Sequence, residues 1–127
     1  MKKLFILFAV VTAVVSCSKE ADEPSNTINV SASMQTYLQT SGSGSTMYYQ
    51  PFVTVDKTMT DSAFFVVQWD HYNAANVYAF QLRDTVKLPP SMGSNSHIST
   101  YLVAGGQAKN VKLINAWSKS GTYTFNY

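Results

Sequence analysis

Ile28, Val30, Ala32 and Met34 alternate with Asn29, Ser31 and Ser33. An apolar side chain at every second position marks a strand with one buried face. Similar segments, rich in β-branched and aromatic residues, recur at 47–55, 63–69, 77–88, 98–104, 111–117 and 122–127. Turn-like stretches lie between them at 41–46, 70–76, 89–97, 105–110 and 118–121. About seven short strands at this spacing predict an all-β fold, an antiparallel β-sandwich. Residues 73–82 allow a helix capped by Asn73, but Tyr78, Phe80 and Leu82 alternate, which favours a strand.

The strands differ in character. Residues 63–67 are apolar on both faces, as expected of a central strand. Pro51 cannot donate to a ladder and points to an edge or a bulge. Trp117 and Tyr123 flank the SKSG turn and are expected to pair across a hairpin, with Tyr123, Phe125 and Tyr127 facing inward. Trp69 and Trp117 are expected in the core.

A different pattern precedes the sandwich. Lys2 and Lys3 lead into an apolar run at 4–15, LFILFAVVTAVV, interrupted only by Thr12. Twelve residues of helix span roughly 18 Å, whereas a bilayer core needs roughly 30 Å. The run is therefore read as a secretory signal peptide and excluded from the fold.

The chain's one cysteine, Cys17, follows directly after Val14-Val15-Ser16. This tetrad resembles the lipobox of bacterial lipoproteins. The resemblance implies cleavage after residue 16, a thioether from the Cys17 thiol to diacylglycerol, and acylation of the new amino terminus with a fatty acid such as palmitate. Several acyl chains hold a protein stably on a membrane where one chain does not. The competing reading is a free buried thiol in an uncleaved chain. With Cys17 used as an anchor, the remaining domain has no disulfide and no thiolate metal site.

Residues 17–26 then form the lipidated cysteine and a flexible tether, polar, charged and broken by Pro24. Its acid-rich stretch is similar to the surface-export signal of Bacteroidota lipoproteins, which implies an outer-membrane protein displayed to the medium. A plain spacer, with the domain on the periplasmic side, is the alternative. Residues 27–127 have the size of one domain, with a loose likeness to the immunoglobulin-like modules of such cell surfaces that rests on strand number alone.

Candidate chemistry is sparse. The acids of the domain are Asp56, Asp61, Asp70 and Asp84, each in a separate segment. Asp70, His71 and His97 with a serine would make a hydrolytic set only if they converged, and neighbouring strand residues point to opposite faces. Two histidines are too few for a His-only metal site. The expectation is a non-enzyme with no metal and no cofactor. Lys57, Arg83, Lys87, Lys109, Lys112 and Lys119 look scattered over several strands, as solvated faces and edge protection, not a nucleic-acid stripe.

The aromatics are more informative. If Val53 and Val55 face the core, Tyr48 and Phe52 face out; if Ile98 and Leu102 do, Tyr101 faces out as well. With the loop residue Tyr72 these are candidate contacts for a glycan or a partner protein, although single exposed rings also occur without a role. Asp61-Ser62-Ala63 and Asp84-Thr85-Val86 are similar to the O-glycosylation sequon of Bacteroidota, which implies modification at Ser62 or Thr85, with Ser62 the better candidate because it precedes a strand. The expected function is a lipid-anchored, non-catalytic binding or accessory module; the alternative is a structural or assembly component of an outer-membrane complex that pairs through an edge strand.

Overall fold

The strand that carries the alternation from Ile28 runs for fifteen residues, so that β1 (Thr27–Ser41) is the longest strand among the described residues. A two-residue turn at Gly42 and Ser43 returns the chain into β2 (Gly44–Val55), paired antiparallel from Val30↔Val55 to Ser41↔Gly44. The computed structural model describes residues 25–127; the signal peptide, Cys17 and most of the tether lie outside the described residues. The other strands are β3 (Ala63–Tyr72), β4 (Tyr78–Leu88), β5 (Ser94–Ser96), β6 (Gln107–Ser118) and β7 (Thr124–Asn126).

Two sheets result, ordered β5-β2-β1-β7 and β4-β3-β6. They pack face to face as an all-β sandwich. Ile28, Val53 and Val55 from the first sheet meet Ala63, Phe65, Val67, Trp69, Val86 and Leu88 from the second. Each such large apolar side chain, once fully buried, contributes about 1.5–3 kcal/mol. As expected from its two apolar faces, β3 is the central strand of its sheet.

Asn73 builds the turn between β3 and β4 instead of capping a helix. Its side-chain oxygen accepts the amides of Ala75 and Val77, both at 3.0 Å. This is the local bond by which asparagine competes with helix.

Four expectations are corrected. Residues 98–104 are not a regular strand; β5 lies earlier, inside the stretch read as a turn. The cause is Pro51. Partners run Thr54↔Ser94 to Phe52↔Ser96, and the next residue opposite, Pro51, has no N–H to return. His97 donates to the Pro51 carbonyl at 3.1 Å without a reciprocal bond, and the ladder stops. Pro51 itself is buried within β2, with its missing donor directed away from β1.

The second correction follows from the first. Ser99 and Val103 face inward, their amides donating to the Tyr49 and Met47 carbonyls at 2.8 Å each. Ile98 and Leu102 are exposed. Third, Trp117 is not in the core. The irregularity in the β3–β6 register between Val66 and Val67 shifts its phase relative to Leu113, and the ring lies on the outer face, stacked on Phe64 at 5.4 Å and 42 % exposed.

Fourth, β6 and β7 do not form a hairpin. The SKSG turn, closed by Gly121 at φ 73°, carries the chain across to the other sheet, where β7 pairs parallel with β1 from Thr27↔Thr124 to Asn29↔Asn126. Phe125 still packs inward, edge-on to Phe65 at 5.2 Å, while Tyr127 is exposed.

Candidate functional site

Once Ile28, Val30, Ala32 and Met34 face the core, strand geometry sends the intervening side chains to the opposite face. The outer face of the four-stranded sheet therefore carries Ser31, Ser33, Gln35, Tyr37 and Gln39 from β1. Facing them in register are Thr54, Phe52, Gln50, Tyr48 and Thr46 from β2. No charged side chain interrupts this set. Gln35 lies opposite Gln50 and Tyr37 opposite Tyr48, a pair of amides beside a pair of phenols.

The next strand position holds the surface in place. Gln50 donates from Nε2 to the Ser96 hydroxyl at 2.8 Å, which orients its amide. Leu102 bridges to Tyr48 from the far side and is 59 % exposed. The resulting surface offers hydroxyl, amide and ring in alternation, with no formal charge.

Tyr48 and Phe52 are on this face, as the alternation predicts, both half-buried. Tyr101 is exposed too, but its amide donates to the Ser99 hydroxyl at 3.2 Å, so it sits on a bend and Leu102 holds the position beside Tyr48. Tyr72 is elsewhere: it ends β3 on the outer face of the other sheet, edge-on to Tyr78 at 5.9 Å and beneath the Lys109 ammonium at 4.6 Å. The structure therefore joins two of the four candidate aromatics, places a third nearby and separates the fourth. Tyr37, Gln35 and Gln50 were missed; extending the outward parity of Ser31 and Ser33 by two steps reaches the first two.

The hydrolytic set does not assemble. The Asp70 carboxylate faces outward, accepting from Asn110 at 2.7 Å and Gln81 at 3.1 Å. These bonds, Asn110 first, with Lys112 nearby, hold its pKa below the usual carboxylate value. His71 faces inward, with Nδ1 2.5 Å from the Tyr49 hydroxyl and its ring stacked on Phe80 at 4.8 Å. Burial pushes the Tyr49 phenol up, which keeps its proton on the hydroxyl, so the contact is a structural hydrogen bond inside the core. His97 lies apart, 3.6 Å from Asp84. Among the described residues no group of three or more His, Cys, Asp or Glu is placed to hold a metal ion.

The sequon residues reverse their expected order of access. Ser62 is half-buried: its amide donates to Asp61 and its carbonyl accepts from Lys119. Thr85 is exposed on the outer face of β4. No family model, curated protein or solved structure matches this chain.

Proposed function

We propose that the protein is a lipid-anchored, non-catalytic binding module of the cell envelope, similar to Bacteroidota surface lipoproteins, that engages a neutral glycan. The anchor rests on the Val14-Val15-Ser16-Cys17 tetrad after a basic start and an apolar run. One observation carries the ligand class: the uncharged outer face of the four-stranded sheet, where Gln35, Tyr37, Tyr48 and Gln50 form a block. Phenol rings cover the apolar faces of sugars, and amides donate to and accept from their hydroxyls. A charged ligand would find no partner there.

The full chain, produced in a Bacteroidota host and extracted in uncharged detergent, is run through native gels containing neutral polysaccharides. Retardation by at least one of them supports the reading. Tyr48→Ala and Gln50→Ala then weaken it by about tenfold each, the effect of losing about 1.4 kcal/mol of contact. Unchanged retardation in both variants overturns it. In the same cells, lipid labelling of Cys17 and protease access to the domain, with Cys17→Ala as control, test the anchor and the address.

A second reading, assembly through an edge strand, is favoured by a separate feature. β7 covers β1 only over Thr27–Asn29, so beyond Asn29 that edge of β1 has no strand on it among the described residues. An unpaired edge of this length is a template for a partner strand. Proline at Thr36 or Leu38, whose N–H groups point away from β2, would block such pairing, whereas Tyr48→Ala would leave it intact.

A further inference from the structure

Four of the six cations that look scattered along the sequence are brought together in space. Strand register puts Lys87 opposite Phe64, and Arg83 and Lys112 on either side of Gln68. Phe64 and Gln68 share the outer parity of β3 with Asp70 and Tyr72, and Lys109 reaches over the Tyr72 ring. Four cations therefore share the outer face of the three-stranded sheet with one carboxylate, Asp70. The other aspartates are engaged elsewhere: Asp56 with Asn29, Asp61 with Ser62 and Ser120, Asp84 beside His97.

This face is built as well as charged. Arg83 donates from Nε to the Gln68 side chain at 2.8 Å, and its terminal nitrogens have no partner among the described residues. That leaves the fork of the guanidinium open to a carboxylate or a sulfate. Arg83 and Lys112 lie between two aromatic ends, with Lys87 beside one and Lys109 over the other. At one, Phe64 and Trp117 stack within 14° of parallel; at the other, Tyr72 meets Tyr78. From Phe64 to Tyr72 is eight residues of strand, roughly 26 Å.

We propose that this face is a second binding surface, separate from the neutral one, and that it takes an anionic polysaccharide. Such a polymer presents apolar sugar faces to the end rings and carboxylates or sulfates to the cations. Arg83 and Lys87 are about 13 Å apart along β4, a spacing suited to anions set at intervals. A lipid surface supplies anions but no rings to stack. An acidic peptide matches the charges and leaves the aromatic ends without a counterpart.

The test is native electrophoresis of the full chain, in uncharged detergent, through gels holding polygalacturonate, dextran sulfate or unmodified dextran. The expected result is retardation by both polyanions beyond any seen in dextran, falling as salt is raised. Arg83→Gln with Lys112→Gln, both exposed and away from the core, removes that excess, and Trp117→Ala reduces it. Neither variant alters retention of a neutral glycan or the circular dichroism of the fold. Absence of excess retardation overturns the proposal, as does its survival in the double variant. Equal competition by polyglutamate or by oligothymidylate, matched for charge, also overturns it, in favour of a peptide or a nucleic acid.

Discussion

Single carboxylates hold the loops that frame the two sheets. Asp61 accepts from the Ser120 amide at 2.5 Å and from the Ser62 amide at 2.8 Å, joining the segment before β3 to the turn after β6. Asp56 accepts from the amide and side chain of Asn29 at 2.9 and 2.7 Å, joining the end of β2 to β1. These bonds to the ionised form, from Ser120 and Asn29 first, lower both pKa values below the ordinary one. The folded state thus binds protons less readily than the unfolded chain, and the stabilisation is present above the unfolded carboxylate pKa and lost as pH falls through the lower folded one. Urea unfolding followed by tryptophan fluorescence is expected to show a falling midpoint as pH drops below about 4. Asp61→Asn lowers the midpoint at neutral pH, and its difference from the unaltered chain closes in acid. A difference that does not change with pH contradicts the assignment. Both carboxylates were visible in the sequence only as isolated acids, because the amides they serve lie up to 59 residues away.

At the level of strands, legibility followed the backbone hydrogen bonds. The alternation of Ile28, Val30, Ala32 and Met34 fixes a buried face without knowledge of the partner, and Tyr48 and Phe52 follow from Val53 and Val55 in the same way. Residues 98–104 alternate just as well, yet their regularity depended on β2, where Pro51 ends reciprocal pairing. Trp117 was misplaced because one register irregularity, between Leu113 and Asn115, changes which side chains face inward, and nothing in residues 111–117 announces it. The entry to β6 depends on one close approach. A Cβ at Gly106 would fall 2.5 Å from the His71 Cε1 atom and closer still to the Tyr72 carbonyl. A backbone carbonyl cannot yield as a flexible side chain does, so Gly106→Ala must displace β6 or the ring that bonds Tyr49. Overpacking of this kind costs about 1–3 kcal/mol. Urea denaturation should register that loss, while Gly93→Ala, with nothing within 4 Å of its added carbon, should not show this clash.

In the whole molecule the two outer faces differ in kind, uncharged on β1 and β2 and cationic on β4, β3 and β6, and only the order of strands reveals it. The sequence shows that Arg83, Lys87, Lys109 and Lys112 lie on two different strands; that β3 runs between those strands is a long-range fact that no local pattern carries. What keeps the faces on opposite sides of one body is the shared core, closed at the end of the chain where β7 crosses to pair with β1 and sets Phe125 edge-on to Phe65 across the sheets. Phe125 is half-buried, so truncating it should cost less than the roughly 3–5 kcal/mol of a fully buried phenylalanine, about 2 kcal/mol. The loss falls between the sheets and on neither outer face. Phe125→Ala should therefore lower the urea midpoint while the folded molecules keep their retardation by both neutral and anionic polysaccharides. Binding that fell on one face alone would mean that β7 shapes that surface directly, and equal weakening on both would mean that the sandwich deforms before it unfolds.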